Sequence, residues 1–128
     1  MNEQDNTMRT FNTGATRTSD NGKNDYEGYL DPLVIEEFGN YMTSHRKQAD
    51  GKLRDSDNWK KGIPITAYMK SWWRHFLDVW AIHRGYKRFD KLDGHEITLK
   101  EALCASLFNN LGYLYEILKK ESETNIKK

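Results

Sequence analysis

Residues 65–84 read ITAYMKSWWRHFLDVWAIHR, and this run decides the fold. Its apolar residues fall in two rows at helical spacing: Tyr68, Trp72 and Val79 in one, Met69, Trp73, Phe76 and Trp80 in the other. A helix apolar nearly all round needs partners on more than one side. Its centre nevertheless carries Arg74 and His75, with Asp78 one turn on. A guanidinium, an imidazole and a carboxylate on such a helix read either as a surface ion pair beside a satisfied histidine or as a polar site facing the core.

Upstream, Gly62-Ile63-Pro64 marks a turn that closes a polar loop over residues 51–64, in which Trp59 is the one tryptophan. Before that loop, Asp31 suits a helix N-cap and Pro32 the first helical position. Leu33, Val34, Phe38, Tyr41 and Met42 supply an apolar stripe, and the pattern predicts a helix ending near Ala49-Asp50-Gly51. Gly39 within it weakens the helix by roughly 1 kcal/mol relative to alanine and would allow close packing. Downstream, residues 85–97 form a second charged loop. Thr98 and Glu101 then have capping-box spacing and open a helix whose apolar residues run to Leu118, with an end predicted near Lys120. No strand pattern, internal repeat or heptad register is visible.

The fold expected is therefore all-α: three main helices preceded by a long N-terminal arm, completing a four-helix-type bundle by homo-oligomerisation as a homodimer or homotetramer. We expect a flexible arm over residues 1–24, a single all-α domain over 25–122 and a flexible tail over 123–128. The arm is rich in Asn, Thr, Asp, Gly and Ser, a composition that buries no core. Within it, Arg17, Lys23 and Asp25 stand among glycines, in a loop suited to lie across a pocket or simply to be solvated.

In the 128-residue chain, 20 basic and 19 acidic residues nearly cancel, which gives no reason to expect a nucleic-acid partner. The single cysteine, Cys104, cannot form an internal disulfide, and a reduced, cytoplasmic setting fits best. No export signal and no membrane-spanning run is apparent.

Candidate chemistry lies at four places. Glu36-Glu37, in the second turn of the first helix, read as surface carboxylates or as ligands for a hard divalent cation. Arg74, His75 and Asp78 are the second group. Asn109-Asn110 interrupts the apolar face of the last helix, where a buried amide must find partners. Asn58-Trp59 precedes the central helix; Trp59 would stack on a base or seal the bundle end, and Arg54, Lys60 and Lys61 nearby would meet phosphates or only water. Phosphate-cradling glycine motifs are absent.

Three pieces, TGATRTSDNGKNDYEGYLDP (13–32), DSDNWKKGIPITAYMKSWWRHF (55–76) and EALCASLFNNLGYL (101–114), together resemble the dATP/dGTP diphosphohydrolase N-terminal domain family of phage and bacterial proteins, relatives of the MazG-like all-α nucleotide pyrophosphohydrolases. The resemblance implies an oligomeric all-α fold and a Mg²⁺- or Mn²⁺-dependent cut between the α- and β-phosphates of a purine nucleotide. It implies Glu36, Glu37 and Asp78 as metal-binding acids, with Glu36, Glu37, His75 and Asp78 catalytic. It further implies that Lys23, Asn58, Trp59, Arg74 and Asn109 bind substrate. MazG-like enzymes usually carry EExxE on one helix and ExxD on a later one. Here Asn40 and His75 stand where two of those acids would be. The departure leaves a second expectation, a phage-type nucleotide sponge that binds without turnover. A helical interaction protein with no small ligand is a third.

Overall fold

A computed structural model describes residues 8 to 126; residues 1–7 of the expected arm and 127–128 of the expected tail lie outside the described part. The chain is mostly helical, with a small two-stranded sheet, and divides into two units, one running to Ile35 and the other starting at Glu36.

The first unit holds what the sequence reading did not predict. Strands β1 (Met8–Thr10) and β2 (Thr16–Thr18) pair antiparallel, with Arg9 opposite Arg17. The connecting turn is closed by Phe11 N–H to the Ala15 carbonyl at 2.8 Å and contains Gly14 at φ 89°, a backbone conformation that suits glycine. Arg9 pairs with Asp20 at 2.7 Å and lies over the Phe11 ring. A single helical turn, α1 (Tyr26–Tyr29), follows, and Asp25 caps it by accepting the Gly28 N–H at 3.0 Å.

Helix α2 (Pro32–Ser44) spans the boundary between the units. It begins where the sequence predicts, with the Asp31 carboxylate accepting the Leu33 N–H at 2.9 Å. It ends earlier than predicted. Ser44 Oγ donates to the Tyr41 carbonyl at 2.7 Å, and His45 Nδ1 lies 2.8 Å from the same oxygen. These side chains satisfy the last turn. The chain then doubles back, so that Lys47 bridges to Leu53.

The second unit is built on α3 (Ile65–His83) packed against α4 (Leu99–Ile126). A single 3-10 turn, Asn58–Lys61, leads into α3 and lays Trp59 edge-on against Tyr115 and Phe108 of α4, with ring centroids 4.9 and 6.2 Å away. Helix α2 meets α4 through Cys104, whose thiol lies 3.9 Å from the Glu37 carbonyl. The centre of the α3–α4 contact is Tyr68, 2 % exposed, with its ring against Gly112. Close packing thus belongs to Gly112 and not to Gly39, around which an added Cβ would meet no atom within 4 Å. Among the described residues the buried apolar side chains are Tyr68, Ala102, Cys104 and Ala105. Trp73, Phe76 and Trp80 on α3 and Leu103, Leu114 and Leu118 on α4 remain exposed.

Candidate functional site

Four of the expected site residues come together. Asn58 and Trp59 of the 3-10 turn, His75 of α3 and Asn109 of α4 line one cavity of about 330 Å³. Tyr41 and His45, whose rings stack with centroids 4.1 Å apart, form another wall. Arg46, Arg54 and Asp55 supply the charged part of its lining, with Thr43, Ser56 and Ser71 adding hydroxyls. Asn109 is 4 % exposed and donates its amide to the Ala105 carbonyl at 2.9 Å, a bond within its own helix. Partial burial pushes the His75 imidazole below its ordinary pKa, against an opposing pull from Asp78. His75 is thus neutral near pH 7, able to accept as well as donate a hydrogen bond.

A second cavity, of about 680 Å³, shares Tyr41, His45 and Arg54 with the first. Glu37 and Asn40 of α2 line it, as do Asp90, Asp93, His95 and Glu101. The last four are tied together. Asp90 caps the backbone N–H groups of Leu92 and Asp93, and Asp93 accepts from both the backbone and Nδ1 of His95. His95 Nε2 lies 2.9–3.0 Å from the two Glu101 oxygens. Bonds to Glu101 and then Asp93 raise His95 to a pKa of about 9, and the backbone N–H of His95, followed by its imidazole, holds Asp93 below the usual carboxylate range.

The acids that the resemblance implies as metal ligands do not converge within the chain. Asp78 is engaged by Arg88, with Nε 2.9 Å from its carboxylate, and is largely shielded from solvent. Glu37 is 3.9 Å from Lys100, while Glu36 is exposed. Among the described residues, the group whose ligand atoms all lie within 4.8 Å of one another is Asp90, Asp93 and His95. Sequence reading missed it because two acids and a histidine in a charged loop look solvated; the signal was the run Asp90-Lys91-Leu92-Asp93-Gly94-His95 ahead of Glu101.

Arg74 is exposed and lines neither cavity. Arg46 and Arg54 stand on the cavity instead. Lys23 belongs to the first unit, where its N–H bonds the Asp20 carbonyl at 3.0 Å. No helix among the described residues is long and apolar enough to cross a membrane. No family model, no curated protein and no solved structure matches the chain.

Proposed function

We propose that this chain binds a purine nucleotide in the cavity formed by Asn58, Trp59, His75 and Asn109 and, with Mg²⁺ or Mn²⁺, hydrolyses it to the monophosphate and pyrophosphate. The observation that carries the reading is the convergence itself. Four residues from three separate segments, each of which the resemblance implies in nucleotide chemistry, line one cavity. The cavity has the composition a nucleotide needs. Trp59 and Tyr41 offer faces to a base, Asn58 and Asn109 offer amides to its edge, and arginines stand at its rim.

The carboxylates of Asp90 and Asp93 offer oxygen donors suited to a divalent cation, and His95 would join them only on losing the proton that it shares with Asp93 and Glu101. Bound there, the ion would neutralise phosphate charge and acidify a coordinated water. The chain's own groups bind and orient: His75, neutral near pH 7, is available to accept a proton from water or to hold a phosphate oxygen.

Assembly is part of the proposal. With four buried apolar side chains among the described residues and two helices exposing tryptophan, phenylalanine and leucine, a second copy of the chain is the partner that completes the bundle. A cytoplasmic setting accords with the free cysteine.

Incubation with dGTP, dATP and their ribonucleotide counterparts, with Mg²⁺ or Mn²⁺, tests the reading by chromatography of the products. Pyrophosphate and monophosphate in equal amounts are expected. A second reading, binding without turnover, is favoured by one observation: Asp78 is committed to Arg88. Tight binding with the nucleotide recovered intact after hours would select it.

A further inference from the structure

The two cavities share Tyr41, His45 and Arg54 in their linings. A ligand seated against Trp59 that reaches Arg54 would stand at the edge of the second cavity. Arg54 is the guanidinium common to both linings, with Arg46 beside it on the first cavity, while the second cavity also carries the acids Glu37, Asp90, Asp93 and Glu101. Arg46 and Arg54 lie on the doubled-back segment after α2, held in register by Arg54 N–H to the Arg46 carbonyl and Arg46 Nε to the Arg54 carbonyl, both 2.8 Å. Arg9, Arg88 and Lys100 have carboxylate partners, but neither Arg46 nor Arg54 is in an ion pair among the described residues. Asp55 is the one carboxylate lining the first cavity with them. Two guanidiniums without counter-ions beside a concave surface are suited to a multiply charged oxyanion, because each presents a planar fork matched to phosphate oxygens.

We infer that Arg46 and Arg54 form an oligophosphate clamp: they hold the phosphate chain of a nucleoside triphosphate at the edge that the base cavity shares with the second cavity. This assigns to the 46–54 segment the role that the resemblance gives to Arg74. The base end of the ligand rests on the nucleotide reading; the anion end stands on the arginines alone. The clamp gives selectivity by phosphate number. A monophosphate seated by its base ends near this edge, whereas a triphosphate crosses it, so the arginines act chiefly on the longer chain.

The test is calorimetric titration of the full chain in EDTA, which removes any cation contribution, with dGTP, dGMP and inorganic tripolyphosphate. Arg54→Gln is the main variant, because the Arg54 side chain makes no hydrogen bond or ion pair among the described residues. Arg46→Lys keeps charge and loses the fork. We expect Arg54→Gln to weaken dGTP and tripolyphosphate about 10-fold or more, as for a lost charge-assisted contact, and dGMP by less than about 3-fold. Arg46→Lys should weaken the same two ligands, and thermal unfolding should show both variants folded. If Arg54→Gln binds dGTP as wild type does, the clamp is wrong while the nucleotide reading stands. If wild type binds tripolyphosphate through Arg54 but neither nucleotide, the clamp stands and the nucleotide reading fails. Binding of none of the three overturns both.

Discussion

Two glycines in helices carry opposite instructions. A methyl group at Gly112 would run into the Tyr68 ring, the most buried large side chain of the second unit, whereas one at Gly39 would meet nothing within 4 Å. In a helix, alanine gains about 1 kcal/mol over glycine. At Gly39 that gain is unopposed, so Gly39→Ala should raise the urea midpoint by an amount equivalent to about 1 kcal/mol. At Gly112 the gain is offset by overpacking, which costs about 1–3 kcal/mol where the neighbours are rigid. Tyr68 is 2 % exposed, so its ring has little open space to turn into and Gly112→Ala should be net destabilising. Chemical denaturation of both variants checks the pair, and a stabilised Gly112→Ala would show that the Tyr68 ring has room to turn. Tyr68 matters here for a second reason: its buried hydroxyl has no hydrogen-bond partner among the described residues. The side chain is held by ring packing and not by its polar end.

At the scale of elements, the helix starts were legible because they are written in side chains. Asp31 and Pro32 open α2, and the Thr98 hydroxyl accepts the Glu101 N–H at 3.1 Å at the head of α4. The reciprocal half of that capping box is missing, since Glu101 turns to His95. Ends were less legible. Helix α4 runs past Leu118, where the apolar stripe stops, through a stretch rich in Lys and Glu, which favour helix without giving periodicity. The β1–β2 hairpin has strands of three residues with no alternation to read. In the site, Asn58, Trp59, His75 and Asn109 line one cavity while Glu36, Glu37, Arg74 and Asp78 stand outside it, and the partners of charges were not legible: nothing in the spacing of Asp78 pointed to Arg88 rather than Arg74. The His95 clasp, which joins the 85–97 loop to α4, gives this scale its prediction. Its folded pKa of about 9 lies above an unfolded value of about 6.5. The clasp therefore contributes fully at pH values below about 6.5 and is lost as pH rises through about 9. Wild type should lose stability across that window more steeply than His95→Gln at equal ionic strength. Parallel curves for the two proteins would remove the imidazolium from the account.

For the whole molecule, the apolar residues that α3 and α4 leave exposed decide how the chain assembles. Trp73 is 64 % exposed and Trp80 54 % exposed, with Phe76 between them on the same helix, and Leu114 and Leu118 stand one turn apart on α4. A tryptophan or phenylalanine left in water forgoes roughly 25 cal/mol for each Å² of apolar surface. Several such side chains on adjacent helices make a patch that monomeric proteins rarely present. Among the described residues, the ring contacts of Trp73 are with Trp72 and Phe76 of its own helix, at centroid separations of 6.5 Å. A second copy offers the same patch in return, and a two-fold axis makes any such surface self-complementary. We therefore expect a dimer or tetramer by light scattering at micromolar concentration, with unfolding midpoints that rise with protein concentration. Trp73→Lys should shift the equilibrium toward monomer, because it places a charge in the face to be buried while disturbing no contact of the α3–α4 core. The Arg54 clamp and the base cavity lie on other residues, so the variant separates assembly from binding: retained tripolyphosphate affinity in a monomeric Trp73→Lys protein is expected. A wild-type chain that stays monomeric, with a midpoint independent of concentration, would mean that the exposed tryptophans serve a different partner.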